Sequence, residues 1–287
     1  MSQSLISPPA VPKAAGAPRR KAQAAGAVPA GPEARPAKPT KPAQALKSTK
    51  PVKSVKTTVA TRSRQPAAPA ALATLTLSSK NYSSWSLRGW LLVRFAGLPF
   101  EEVMVSADDA DARKELLLLA PSIRVPCLSH DGAKVWNTLA IAHYLDEVCP
   151  QAGLLPSDRL ARAHCRSVCG EMNSGFANLR AALPMNLKAR HEGFKVWAGA
   201  QPDIDRIVEI WTDCLATYGG PYLFGAQRTM ADAMYAPVAT RFLTYDVPLP
   251  APCRAYCATV MAMPEMQAWI EAAKSEPDDI EELDMDF

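Results

Sequence analysis

The sequence predicts a small α/β domain followed by an all-helical domain, with an unfolded basic segment in front. Three observations lead there. Strand-like and helical patterns alternate between residues 72 and 150, only helical periodicity recurs after Pro156, and residues 1–70 contain no aromatic residue but twelve prolines. The predicted organisation is therefore a tail at 1–70, an α/β domain at 71–150, a helical domain at 157–276 and an acidic end at 277–287.

The 287 residues carry a formal net charge of +4, which describes neither part of the chain. Residues 1–70 hold 13 Lys and Arg against the single acid Glu33, a net of +12, so the remainder carries −8. A segment this poor in large apolar side chains cannot offset its ordering entropy and is expected to be disordered. Such a tail could touch phosphates without reading bases, but a solvated extension explains it as well, and a nucleic-acid partner is not favoured. Scarce acids fit a transit peptide; twelve prolines work against the amphipathic helix that such a peptide forms.

In the α/β part, Leu72 to Leu77 alternates as a strand and ends at Ser78-Ser-Lys-Asn81. A mostly apolar helix runs from Ser83 to the Gly97 stop, with Pro99 just beyond. Phe100 to Val105 reads as a strand and Asp108 to Leu119 as a helix with acids in its first turn. Val125 to Leu128 and Lys134 to Trp136 flank Asp131-Gly132, a hairpin signal, and Asn137 to Val148 is a further amphipathic helix closed by Pro150. This order of elements is that of a thioredoxin-like domain. The helical part is expected as Asp158–Leu183, Asp203–Tyr218, Met230–Phe242 and Pro252–Lys274, broken at Gly219-Gly-Pro221 and Pro248-Leu-Pro250.

No uncharged apolar run approaches the roughly 20 residues of a membrane span. A secretory signal is not expected either, since no apolar stretch follows the first cation, Lys13. The seven cysteines all lie after residue 70, an odd number that reads as reduced cytoplasmic thiols. Cys165/Cys169 and Cys253/Cys257 are spaced to share helix faces, but no C-x-x-C or paired His accompanies them. They read as packing residues, and no metal is expected.

Four stretches together resemble the cytosolic glutathione transferases. Tyr82-Ser-Ser-Trp-Ser-Leu-Arg88 is similar to the serine motif of the zeta class, with Trp85 where that class has cysteine. Val125-Pro126 resembles the family's cis-proline, and Trp136-Asn-Thr-Leu-Ala-Ile-Ala-His-Tyr-Leu145 its helix-opening motif. Thr229-Met-Ala-Asp232 resembles its buried capping box. Elsewhere the chain looks like a bacterial branch of the superfamily.

The resemblance implies glutathione as co-substrate, a small hydrophobic electrophile as acceptor, a homodimer and a cytoplasmic location. It also assigns roles. Ser83, with Ser84 as second choice, would donate to the glutathione sulfur. The physical need is plain, because a free thiol has a pKa of about 8.5, and each unit of lowering requires about 1.4 kcal/mol of thiolate stabilisation. A hydroxyl at a helix N-terminus supplies this through its hydrogen bond and the dipole. The simpler role for either serine is a helix cap.

Val125 and Pro126 would present main-chain groups to the extended tripeptide, and Asn137 and Thr138 would hold its γ-glutamyl end at a helix N-terminus. Asn137 replaces the acidic residue or Gln usual in the family and could equally be a plain cap. Tyr82, Glu171, Met172, Phe176 and Arg180 are candidates to line the acceptor pocket, with Met185 beside them, although Met and Phe at helical spacing also fit an ordinary core. The expected chemistry is conjugation or isomerisation. A non-catalytic glutathione-binding partner is the alternative that Asn137 motivates.

Overall fold

The structure is a computed structural model that describes residues 73–105 and 125–277. The expected tail, the expected helix at Asp108–Leu119 and residues 278–287 lie outside the described residues.

Strand β1 (Ala73–Leu77) turns every second side chain inward and is followed by helix α1 (Ser84–Ala96). Helix α1 is apolar around most of its circumference because it is covered on several sides, by the helices named below. Gly97 ends it at φ 68°, a left-handed position that a glycine occupies without a Cβ penalty. Strand β2 (Phe100–Met104) returns parallel to β1, with Ala73 opposite Phe100 and Leu77 opposite Met104.

Strands β3 (Cys127–His130) and β4 (Ala133–Trp136) form the hairpin that Asp131-Gly132 signals, with both turn residues at positive φ, 48° and 77°. The sheet order is β2-β1-β3-β4, with β3 antiparallel to β1 and β4 antiparallel to β3. Helix α2 (Thr138–Val148) completes this layer. The expected thioredoxin-like arrangement is thus observed among the described residues.

The second half contains α3 (Arg159–Ser174), α4 (Ala177–Ala182), α5 (Gln201–Tyr218), α6 (Met230–Thr244), α7 (Ala251–Ala262) and α8 (Pro264–Lys274). Two expectations fail here. The single helix expected over Asp158–Leu183 is broken at Gly175-Phe176, where Gly175 is extended and Phe176 sits at φ 59°. A Cβ on Gly175 would lie 2.8 Å from the Glu171 carbonyl oxygen, so the break needs glycine. The helix expected over Pro252–Lys274 divides at Met263, which takes ψ 132° because the following Pro264 disfavours the helical region for its predecessor.

Helix α1 packs on α2, α6 and α8, and Trp90 meets Trp269 with ring centroids 5.3 Å apart. One continuous apolar cluster runs from Leu75 and Leu91 through Met234 to Trp211 and Trp269. The capping box forms as expected: the Thr229 N–H donates to Asp232 Oδ2 at 2.7 Å, and Thr229 Oγ1 accepts from Ala231 N–H. Asp232 Oδ1 also accepts from Leu223 N–H and the Tyr256 hydroxyl. No helix among the described residues is long and apolar enough to cross a membrane.

Candidate active site

The turn between β1 and α1 carries the serine motif. Ser83 is the N-cap of α1 and nearly fully buried; its Oγ accepts from Ser86 N–H at 3.2 Å and donates to Ser86 Oγ at 3.0 Å. Ser78 N–H donates to the same Ser86 Oγ at 3.0 Å. The capping role that serine offers at this position is therefore filled by Ser83. Ser84, the first residue of the helix, uses its carbonyl to accept from Arg88 Nη1, and its hydroxyl forms no hydrogen bond among the described residues. Tyr82 is buried, with its N–H donating to Ser79 Oγ.

The far end of the chain fixes this turn. Glu276 accepts from Lys80 N–H at 2.6 Å, Asn81 N–H at 3.0 Å and Ser79 Oγ–H at 2.8 Å. Trp269 Nε1–H donates to the Lys80 carbonyl, and Asn81 Oδ1 accepts from the N–H groups of Leu187 and Lys188. Neither Glu276 nor Asn81 carries a signal in the sequence, because the partners of their side chains, all but one of them main-chain groups, lie 106 to 197 positions away.

Val125–Pro126 is a cis peptide at the start of β3, and both residues are buried. Gly89 of α1 faces it: a Cβ there would lie 2.5 Å from Pro126 Cβ and 2.8 Å from Cγ. This glycine, missed in the sequence, lets α1 approach the Val125-Pro126 segment closely. Asn137 caps α2, with Oδ1 accepting from Leu139 N–H at 2.9 Å, and adopts φ 73°, ψ 132°. That is a sparsely populated conformation for a residue with a side chain, of the kind that gathers at ligand sites. Thr138 is buried, and its hydroxyl contacts Asn173 Oδ1 of α3 at 3.3 Å.

The residues expected around an acceptor do not converge as a group. Met172 and Met185 lie in the core and Phe176 is buried at the helix break. Glu171 turns to α5, where Arg206 holds its carboxylate through two bonds of 2.7 and 3.0 Å; that pairing keeps Glu171 below the usual carboxylate range. Arg180 remains on the inner side, its guanidinium carbon 5.9 Å from the Trp85 ring centroid. Immediately after it, Ala181 and Ala182 join Phe194 and Trp197 along a cavity of about 770 Å³.

Arg88 lies on the Trp85 ring at 4.5 Å and is completely buried, its Nε–H donating to the Met234 carbonyl at 2.7 Å. The cysteines Cys127, Cys149, Cys169, Cys214, Cys253 and Cys257 have thiols raised by burial, Cys214 and Cys257 to about 12, so they are poor nucleophiles. Among the described residues no cluster of three or more His, Cys, Asp or Glu side chains is arranged to hold a metal ion.

A serine-bearing helix N-terminus beside a cis-proline, on a thioredoxin-like layer packed against helices, defines the class. Family models described as the N-terminal and C-terminal domains of glutathione S-transferase match residues 82–148 and 187–272. A probable maleylacetoacetate isomerase of Caenorhabditis elegans is 30% identical over 166 residues, covering 55% of this chain and 75% of that protein.

Among solved structures, a glutathione transferase homolog from Burkholderia with bound glutathione is similar at 25% identity and a TM-score of 0.54, covering 71% of this chain and 99% of that one. A maleylacetoacetate isomerase from Anaeromyxobacter dehalogenans, with bound dicarboxyethyl glutathione and citrate, is similar at 25% identity and a TM-score of 0.52, covering 72% and 94%. The chain belongs to the glutathione S-transferase family.

Proposed function

We propose that this chain is a glutathione-dependent transferase or isomerase in which the Ser84 hydroxyl donates to the glutathione sulfur. The observation that carries this reading is the uncommitted Ser84 hydroxyl at the first position of α1. Its neighbour Ser83 has its oxygen occupied by Ser86. An anionic sulfur at this point gains from the hydroxyl and from the positive end of the helix dipole together.

Val125 and Pro126 face the cysteinyl unit in this reading. The start of α2 at Asn137 and Thr138 takes the γ-glutamyl end, for which the strained Asn137 backbone is the supporting feature. Family membership supports a two-chain assembly and a cytoplasmic location as further parts of the proposal. Light scattering at twice the chain mass is the expected result for the first, and a monomer would contradict it.

The test uses purified protein with glutathione and three acceptors: chlorodinitrobenzene, a peroxide and maleylacetone. Turnover of at least one is expected, with kcat falling about a hundredfold in Ser84→Ala, the usual scale for removing one preorganised donor. Unchanged kcat in Ser84→Ala would overturn the assignment of the serine. Glutathione binding without turnover of any acceptor would overturn the enzymatic reading.

A further inference from the structure

The segment between α4 and α5 builds a cavity that the glutathione reading leaves unused. Its volume is about 770 Å³, and its apolar walls are Ala181 and Ala182 of α4 together with Phe194 and Trp197. Successive residues of a helix stand about 100° apart, so the two alanines lie on the side of α4 turned away from Arg180, which faces the Trp85 ring. The cavity therefore lies across α4 from Trp85, the neighbour of Ser84.

The walls are held in place. His191 N–H donates to the Thr244 carbonyl at 2.8 Å, and Gly193 N–H to Asp246 Oδ2 at 3.1 Å. The Tyr245 hydroxyl donates to the Pro184 carbonyl at 3.1 Å, and the His191 and Phe194 rings pack on the Tyr245 ring at centroid distances of 5.0 and 4.9 Å. Trp197 is 62% exposed, yet its ring lies against Gly199, where a Cβ would collide with it. An indole fixed at the rim of a formed apolar cavity suits ligand binding, because little remains to be ordered when the ligand arrives.

Two charged side chains of opposite sign line the same cavity, Glu192 and Lys195. Both are exposed, and neither side chain has a hydrogen-bond or ion-pair partner among the described residues, not even the other. A carboxylate and an ammonium left apart in one cavity complement a ligand that carries both charges. The cation of such a ligand also gains from the ring faces of Phe194 and Trp197. An aromatic α-amino acid carries an ammonium, a carboxylate and a flat ring within a few bonds, which is the set that these walls and this rim match.

We propose that this cavity is a second ligand site, for a free aromatic α-amino acid, with its ammonium on Glu192, its carboxylate on Lys195 and its ring against Phe194 and Trp197. The site stands apart from the serine turn and does not depend on the glutathione reading.

Titration calorimetry on the full chain with three probes tests this. L-phenylalanine carries both charges, phenethylamine lacks the carboxylate and phenylpropanoate lacks the ammonium. L-phenylalanine is expected to bind about fivefold more tightly than either, the scale of one exposed ion pair. Lys195→Met should bring it to the level of phenethylamine, and Glu192→Gln to that of phenylpropanoate. Both side chains are exposed, so the fold is not at stake in either variant. Saturating S-propylglutathione should leave the affinity for L-phenylalanine unchanged.

Absence of L-phenylalanine binding, or equal affinity for the three probes, would overturn the proposal. So would a preference that survives in both variants. Displacement of L-phenylalanine by S-propylglutathione would also overturn it, by placing the amino acid in the candidate active site.

Discussion

Adjacent serines at the start of α1 have opposite fates because of one backbone position. Ser83 is extended at φ −82°, ψ 97°, which aims its oxygen at the free N–H groups of the first turn; Ser84 is already helical, and its hydroxyl makes no bond to them. The Ser-Ser pair was legible in the sequence, but which member caps is a matter of where the helix starts, and helix ends are poorly marked by pattern. Ser83→Ala should therefore act mainly on folding, with a loss of about 1 kcal/mol in denaturant unfolding. A selective loss of turnover with unchanged stability would reverse the two roles.

Glu171 shows the same limit, since its partner Arg206 lies 35 positions away. Its folded pKa is depressed, so the pair's contribution is present above the carboxylate's unfolded value of about 4.3 and is lost as pH falls below it. With both side chains more than a third exposed, Glu171→Gln should cost under about 1 kcal/mol at neutral pH and nothing in acid, as measured by unfolding at the two pH values.

At the scale of elements, most of the fold was legible because strands, turns and helices carry local signals. Asp131-Gly132 marks the hairpin and Thr229-x-x-Asp232 marks the start of α6 through the geometry that these residues themselves create. The helix breaks at Gly175 and Pro264 were overrun because continuous apolar periodicity crosses both.

Gly89 is a different case: a mid-helix glycine normally costs about 1 kcal/mol relative to alanine, so it reads locally as a defect. Its reason is the Pro126 ring, which a Cβ would meet at 2.5 Å. The ring cannot swing aside as a flexible chain would, and overpacking costs about 1–3 kcal/mol, which outweighs the helical gain. Gly89→Ala should lower the melting temperature and raise the glutathione KM; a more stable variant with normal KM would show that the close approach has no consequence.

For the whole molecule, the site depends on the two halves meeting. Glu276 clamps the Ser79–Asn81 turn, Trp269 bonds Lys80, Asn173 touches Thr138, and Arg88 reaches α6 at Met234. Composition separated the basic tail from an acidic folded part, and a resemblance located the serine, proline and Asn-Thr motifs. These long-range bonds had no sequence signature, since most of the partners are main-chain groups, which impose no residue type, and the two side-chain pairs lie far apart in the chain. Glu276→Ala should speed amide hydrogen exchange at Lys80 and Asn81 and lower kcat, with Glu276→Gln restoring part of both. Unchanged exchange at these amides would show that the clamp does not hold the turn.

The central claim, that Ser84 stabilises a glutathione thiolate, is tested most directly by titrating the ultraviolet thiolate absorbance of glutathione bound to the wild type and to Ser84→Ala. In the wild type the bound thiol should titrate at least one unit below its free value of about 8.5, and in Ser84→Ala it should return toward that value. The same depressed titration in both proteins would contradict the account.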